Sequence, residues 1–346
     1  MLHFRSRWLH AAAITLSCAF AGFAAAPAQA ATTLVINQLL PPGDAFNQQV
    51  LRPWAQEVEK VTQGRVLISL PGAPVAPPNQ LWNAVTGGIV DGAYVFNGLL
   101  PHQLPLEQVA ALPFIGGTAA QTSVALWKTH EKYFAKAGEY RNVKLLALFS
   151  LPPGEIFSLG KPIVQPADLA GRRMWVMPGV PQQVLVHSAA GVVSSPAVQL
   201  SELVAGGTVD SFAGMGDYNA KAFKVIGYVK SETLIPGGLS VPSFSLVINK
   251  ARWESISPAD RKAIESISGL AFAQRMKLMT ELNVQSREQA GKSGVHVVQA
   301  SPALIAELKG YAQPMVQQWL AAARAKGVDG AAALQYFQAQ AQAQAR

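Results

Sequence analysis

Thr33–Gln38 (TLVINQ), a short run with an apolar centre at Leu34-Val35-Ile36, reads as an opening β-strand. The loop Leu40-Pro41-Pro42-Gly43-Asp44 follows. From Phe46 to about Thr62 the apolar positions instead recur at helical spacing, with Val50, Trp54 and Val58 on one face and Gly64 just past the end. Arg65–Leu70 (RVLISL) reads as a second strand. Strand, loop, helix and strand in this order form a βαβ unit, which predicts a sheet containing parallel pairs. Pro71–Pro78 is too rich in proline for either element and is a loop.

A short pattern occurs twice. Trp82–Val95 reads WNAVTGGIVDGAYV and Glu202–Met215 reads ELVAGGTVDSFAGM. Each is a helix end, a Gly-Gly stop suited to left-handed backbone, then Val-Asp and an apolar stretch. Val90 and Val209 are expected to open strands at equivalent αβ corners of two similar lobes. In open α/β sheets ligands bind beyond the carboxyl ends of the strands. Phe96, Asn97, Gly214, Met215, Asp217 and Tyr218 are therefore site candidates. Farther on, Ser257-Pro258 starts a helix with a cap and a first-turn proline. Its apolar positions continue to about Gly291, which predicts one long helix able to span both lobes. The Gln/Ala-rich tail from Gln335 to Arg346 is expected to fray.

Composition narrows the class. Half the 346 residues are hydrophobic and 14% are charged, which excludes a disordered chain. Arg5 and Arg7, the apolar run from Ala11 to about Ala26, and Ala28-Gln29-Ala30 form a secretory signal with cleavage expected before Ala31. The single cysteine, Cys18, lies inside that signal, so the mature chain has no disulfide or thiol chemistry. The formal charge of +8 is scattered, and export makes nucleic acid an unsuitable partner. His102, His130, His187 and His296 stand far apart in no ligand-like pattern and read as surface residues. Neither a GxSxG elbow nor a GxxxxGK[ST] loop is present, so the sequence offers no positive case for catalysis, a metal or a cofactor.

Pro166–Ile264 carries QPADLAGRRMWVMPG, GVVSSPAVQLSELVAGGTVDSFAG and PSFSLVINKARWESISPADRKAIE. Together with WAQEVEKVTQGRVLISL, GGIVDGAYVF and ALPFIGG, these segments resemble the DctP-like solute receptors of tripartite ATP-independent periplasmic (TRAP) transporters. The resemblance implies a two-lobed α/β fold with a ligand cleft between the lobes and a long helix bridging both. It implies a periplasmic receptor that closes on a small organic solute and delivers it to integral membrane subunits. Lobe I is expected to take residues 31–152 with 241–280, and lobe II 153–240 with 281–346. The chain is expected to be a monomer.

That family commonly holds organic acids with an arginine on the strand after D-L-x-G. Here that position is Trp175. A second basic position falls near Glu155, and the asparagine that often follows V-D-G-x-E falls on Gly214. All three changes remove anion-holding groups, so the expected solute is aromatic, neutral polar or cationic and not a simple C4-dicarboxylate. Trp175 would supply a flat face. Asp44 either caps the helix near Phe46 or touches the solute, and Phe244 is a further lining candidate. The alternatives are a ligand sensor for a membrane signalling protein and a metal-free enzyme on the same scaffold. A carboxylate–histidine pair converging in the cleft would mark the enzyme.

Overall fold

The computed structural model describes residues 31–188 and 190–343. The expected signal, Cys18 included, lies outside them. Among the described residues eleven strands build two sheets. They are β1 (Thr32–Asn37), β2 (Val66–Ser69), β3 (Gly92–Phe96), β4 (Val143–Ser150), β5 (Glu155–Ser158), β6 (Arg173–Val176), β7 (Gly191–Val193), β8 (Ser211–Met215), β9 (Ser231–Leu234), β10 (Ser243–Asn249) and β11 (His296–Gln299). The first sheet has the order β2-β1-β3-β10-β4 and the second β11-β9-β5-β8-β6-β7.

The two sheets share one plan. In the first, β2, β1 and β3 run parallel, and β10 pairs antiparallel with both β3 and β4. In the second, β7, β6 and β8 run parallel, and β5 pairs antiparallel with both β8 and β9. The chain passes directly between the sheets at Leu151–Gly154, after β4, and at Ile235–Pro242, after β9, and a third time through the helices that lead from β10 to β11. The first two of these are the short crossovers of a two-lobed α/β protein.

The repeated corners are the matching parts of that plan. Leu81–Thr86 and Leu200–Ala205 are the two helices, stopped by Gly87-Gly88 and Gly206-Gly207, with Gly88 and Gly207 at φ 72 and 65°. The aspartates have a shared structural task. The Asp91 carboxylate accepts a bond from Val35 N–H on β1 at 2.8 Å, and the Asp210 carboxylate accepts one from Arg173 N–H on β6 at 3.2 Å. Each thus ties β3 or β8 to its parallel neighbour. Arg252 binds Asp91 at 2.6 Å and Arg173 binds its own tether, Asp210, at 3.5 Å.

The first helix matches its expected span but opens wide, as a π-turn at Asn47–Leu51 followed by α-helix at Arg52–Val61. Val50, Trp54 and Val58 are all buried. The stretch expected as one long helix is three: Pro258–Ser266, Gly269–Arg275 and Lys277–Lys292. The first break has a steric cause. Gly269 has φ 55°, and a Cβ there would lie 2.6 Å from the Trp127 ring. The segments still bridge the halves. Gly269–Arg275 packs on β4, and Lys277–Lys292 packs on both Ala119–Thr129 and Asp217–Ala222.

The tail differs from expectation. Gly330–Ala343 is a helix with Phe337 buried, packed on Ala119–Thr129 of the first half. Its small alanines allow close approach, while Lys132 over the Tyr336 ring at 4.2 Å and Lys128 bound to Gln340 at 3.0 Å fix its outer face. Residues 344–346 lie outside the described part. No helix among the described residues is long and apolar enough to cross a membrane.

Candidate functional site

The carboxyl ends of the parallel strands of both sheets meet across a seam. On the first side, β3 ends at Phe96 and runs into the turn Asn97–Leu99. On the second, β6 runs into Met177-Pro178-Gly179 and β8 ends at Met215. The backbones approach closely, for a Cβ added to Gly179 would lie 3.9 Å from the Gly98 carbonyl oxygen. Gly214 has φ 94°, and a Cβ there would meet Met177 at 3.0 Å and Pro181 at 3.1 Å. A side chain at 214 would fill the space against the β6 end.

Phe96 is the half-buried end of an aromatic column. It lies opposite Phe244 in the β3–β10 register, with ring centroids 5.4 Å apart. Phe244 stacks on Phe149 at 5.3 Å, and Phe149 stacks on Phe46 at 4.7 Å. The last three rings are fully enclosed. Asn97 points the other way. Its Nδ2 donates to Ser243 Oγ at 3.1 Å, and its Oδ1 accepts from Ser245 Oγ at 2.7 Å. It pins the turn to β10 and is wholly buried.

The second group lies where Asp217–Ala222 begins. Tyr218 reaches across from the second half to the first: its hydroxyl donates to the Asp44 carboxylate and lies 3.3 Å from Phe46 N–H. Asp44 also accepts from Phe46 N–H at 2.8 Å, so it caps the first helix and makes the crossing contact together. Burial pushes the pKa of Asp44 up, and burial beside Asp44 does the same to Tyr218. A hollow of about 390 Å³ opens here, lined among others by Gly43, Asp44, Gln49, Tyr218, Lys221 and Phe223.

Glu155 and Asp217 converge on a residue that pattern reading missed. Arg287 Nη2 lies 2.9 Å from Asp217, 2.8 Å from Glu232 and 3.4 Å from Glu155. Glu155 also accepts from Ile235 N–H at 2.7 Å. It was expected as a free carboxylate facing the solute. It is instead almost fully buried and committed to these partners, because β5 turns it inward beside the crossover. Burial raises Glu155 to about 7 and Glu232 to about 9. Asn283, one helical turn before Arg287, accepts from Tyr218 N–H at 3.0 Å. The Asn-x-x-x-Arg spacing was the available signal for this pair. Glu232 had none.

Trp175 was expected to offer a flat face to the solute. The structure places it wholly inside the second sheet's core, opposite Phe212, which stacks on Phe157 at 4.8 Å. Its indole N–H donates to Ser195 Oγ at 3.1 Å. Strand alternation sets this: Met174 and Val176 take one face of β6 and Trp175 the other. Met215 belongs to the same core. The ring left half-buried at the seam is Phe96. Arg172 and Arg173 are occupied elsewhere, on Lys161 O and Asp210.

One histidine departs from expectation. His130 is buried, with Nδ1 2.7 Å from Glu107 Oε1. The pair is packed against Tyr140 and Trp127 and does not line the hollow beside Tyr218. Among the described residues no group of three or more His, Cys, Asp or Glu stands ready to hold a metal.

Comparison with known proteins fits this geometry. Residues 36–322 match DctP, the bacterial extracellular solute-binding protein family 7. The chain belongs to this family. It is 42% identical over 311 residues to the outer membrane transporter protein TsaT of Comamonas testosteroni, covering 90% of this chain and 92% of that one. Among solved structures, it resembles a TRAP periplasmic solute-binding protein of Bordetella bronchiseptica with bound (R)- and (S)-mandelate. That pair has 31% identity and a TM-score of 0.83, over 90% of this chain and 99% of the other. A marine metagenome TRAP solute-binding protein specific for aromatic acids, in complex with 3-hydroxybenzoate, has 26% identity and a TM-score of 0.80, over 90% and 98%. The family member described here is thus a receptor that captures a small organic solute for a TRAP-type secondary transporter.

Proposed function

We propose that this receptor is exported to the periplasm after cleavage before Ala31 and closes its two lobes on a small aromatic acid at the seam. The observation that carries the reading is Phe96, the half-buried end of the aromatic column, at the strand end where the two halves meet. A ring edge or face against Phe96 gains apolar burial and aromatic contact. The bound mandelate and 3-hydroxybenzoate of the two relatives support the same class. With Trp175 in place of the family's arginine, the carboxylate of the solute must be held by another group. Lobe I then comprises 31–152 and 241–280, joined by the last helix, and lobe II comprises 153–240 with β11. The chain works as a monomeric binder without cofactor or turnover. The buried His130–Glu107 pair is a structural contact in lobe I.

Isothermal titration with mandelate, 3-hydroxybenzoate, succinate and malate tests the reading. Binding of the aromatic acids and silence with the dicarboxylates is expected. Tight succinate binding without response to the aromatic acids would defeat it. Recovery of unchanged mandelate after prolonged incubation is the outcome expected of a receptor.

A further inference from the structure

The hub on Arg287 holds more acid than it can neutralise. Asp217 and Glu232 are wholly buried, Glu155 nearly so, and among the described residues the one guanidinium facing all three is Arg287. With every carboxyl ionised the hub would keep two uncompensated negative charges out of water, which is costly. Beyond the ion pairs, Asp217 Oδ1 and Glu232 Oε2 find no hydrogen-bond donor among the described residues. A single proton held between these two acids supplies the missing donor and removes one charge.

We propose that Arg287, Glu232 and Asn283 are positioning residues for lobe closure, and that the proton shared by Glu232 and Asp217 keeps them in place. The geometry runs in one line. Asn283 and Arg287 project from one face of the Lys277–Lys292 helix. Asn283 accepts from Tyr218 N–H and Arg287 binds the neighbouring Asp217. Together they fix the first turn of Asp217–Ala222. That turn aims the Tyr218 hydroxyl at Asp44 and Phe46 of the other half. Glu232 on β9 and Glu155 on β5 stand beside the two crossovers and bind the same guanidinium.

The charged groups facing the hub are therefore Glu155 from β5, Asp217 from its helix, Glu232 from β9 and Arg287 from the bridging helix. Lys221 is engaged outside the hub with Gln289 at 3.2 Å. On the far side of Tyr218 stand Asp44 and Tyr94. Loss of the shared proton sets Glu232 against Asp217 as like charges, pushes the first turn away from its anchor and withdraws Tyr218 from Asp44. Burial holds that proton on Glu232 up to about pH 9. Closure by this route weakens as pH rises through that value. The inference rests on the two-lobe closure proposed above and on no particular solute.

Distance measurement by double electron–electron resonance tests it in the unliganded mature chain. The only native cysteine, Cys18, lies in the expected signal, so spin labels at Lys60→Cys and Gln183→Cys report on the two lobes alone. A short-distance population is expected beside the open one at pH 7, and its share should fall between pH 8 and 10. Glu232→Gln stays neutral at every pH and should keep its pH 7 distribution throughout. Tyr218→Phe should show the long population at all pH values. Melting curves confirm that each variant is folded. A distance distribution that ignores pH, or a Glu232→Gln variant that opens in step with the parent, overturns the proposal. Failure of the aromatic-acid reading would show separately, as absent calorimetric heat with the distance behaviour intact.

Discussion

Phe96 and Phe149 belong to one aromatic column and have opposite jobs. Phe149 is enclosed between Phe46 and Phe244, so truncation leaves a cavity in the lobe I core. Phe149→Ala should cost about 3–5 kcal/mol of stability, read by urea unfolding. Phe96 is half-buried and reaches the seam. Phe96→Ala should leave the melting temperature nearly unchanged and weaken mandelate binding at least about tenfold, roughly 1.4 kcal/mol by calorimetry. Equal losses of stability and affinity would count against a ligand-facing role. The sequence marked Phe96 through its place after the Val-Asp corner and offered Phe244 as a further lining candidate. Phe149 stayed hidden in the continuous apolar run LLALF, whose partners come from strands far off in the chain. Trp175 was misjudged for a related reason: its position in the family's pattern was legible, but the face of β6 it takes depends on register with β8.

At the level of elements, the two corners were the most legible part of the fold, because Gly-Gly and Val-Asp each satisfy a local backbone demand. What the pattern did not disclose was the use of each aspartate. Asp91 and Asp210 accept backbone N–H groups from the neighbouring parallel strand, so they staple equivalent strand pairs in the two lobes. Asp91→Ala and Asp210→Ala should each cost about 1–3 kcal/mol, the penalty for a stranded polar group. The Asp91 change should be the larger, since its backbone bond and its ion pair to Arg252 are both shorter than the corresponding contacts of Asp210. Chemical denaturation of the two variants compares them directly. The long helix was legible as helical and illegible as broken. Gly269 looks tolerable in sequence, and only contact with Trp127 shows why the chain must turn there.

Across the whole molecule, two buried acids and the half-buried Glu139 bias stability toward mild acid. Glu155, Glu139 and Glu232 are raised from the usual 4.5 to about 7, 8 and 9, chiefly by burial. Between pH 4.5 and 9 the folded chain therefore binds more protons than the unfolded one, and stability falls as pH rises through that window. The melting temperature should be higher at pH 6 than at pH 9. Glu232→Gln, which cannot ionise, should narrow the difference. A melting temperature that rises from pH 6 to 9 would contradict this. None of it was visible in the sequence, where the three glutamates look like ordinary charged residues and only packing removes them from water.

The plan of the sheets also dictates an order of assembly. β10 lies between β3 and β4 in the first sheet, yet it is made almost a hundred residues after β4. Until it arrives, the two strands it joins have no common partner, and lobe I cannot close its sheet. Lobe II meets no such delay: β5 to β9 are contiguous in the chain, and only the edge strand β11 comes later. The chain is made from its amino end. The later-encoded lobe can complete its central strands first, while the earlier one waits open for a single keystone strand. Chaperone demand should then fall on residues 31–150, whose apolar strands stay unpaired longest.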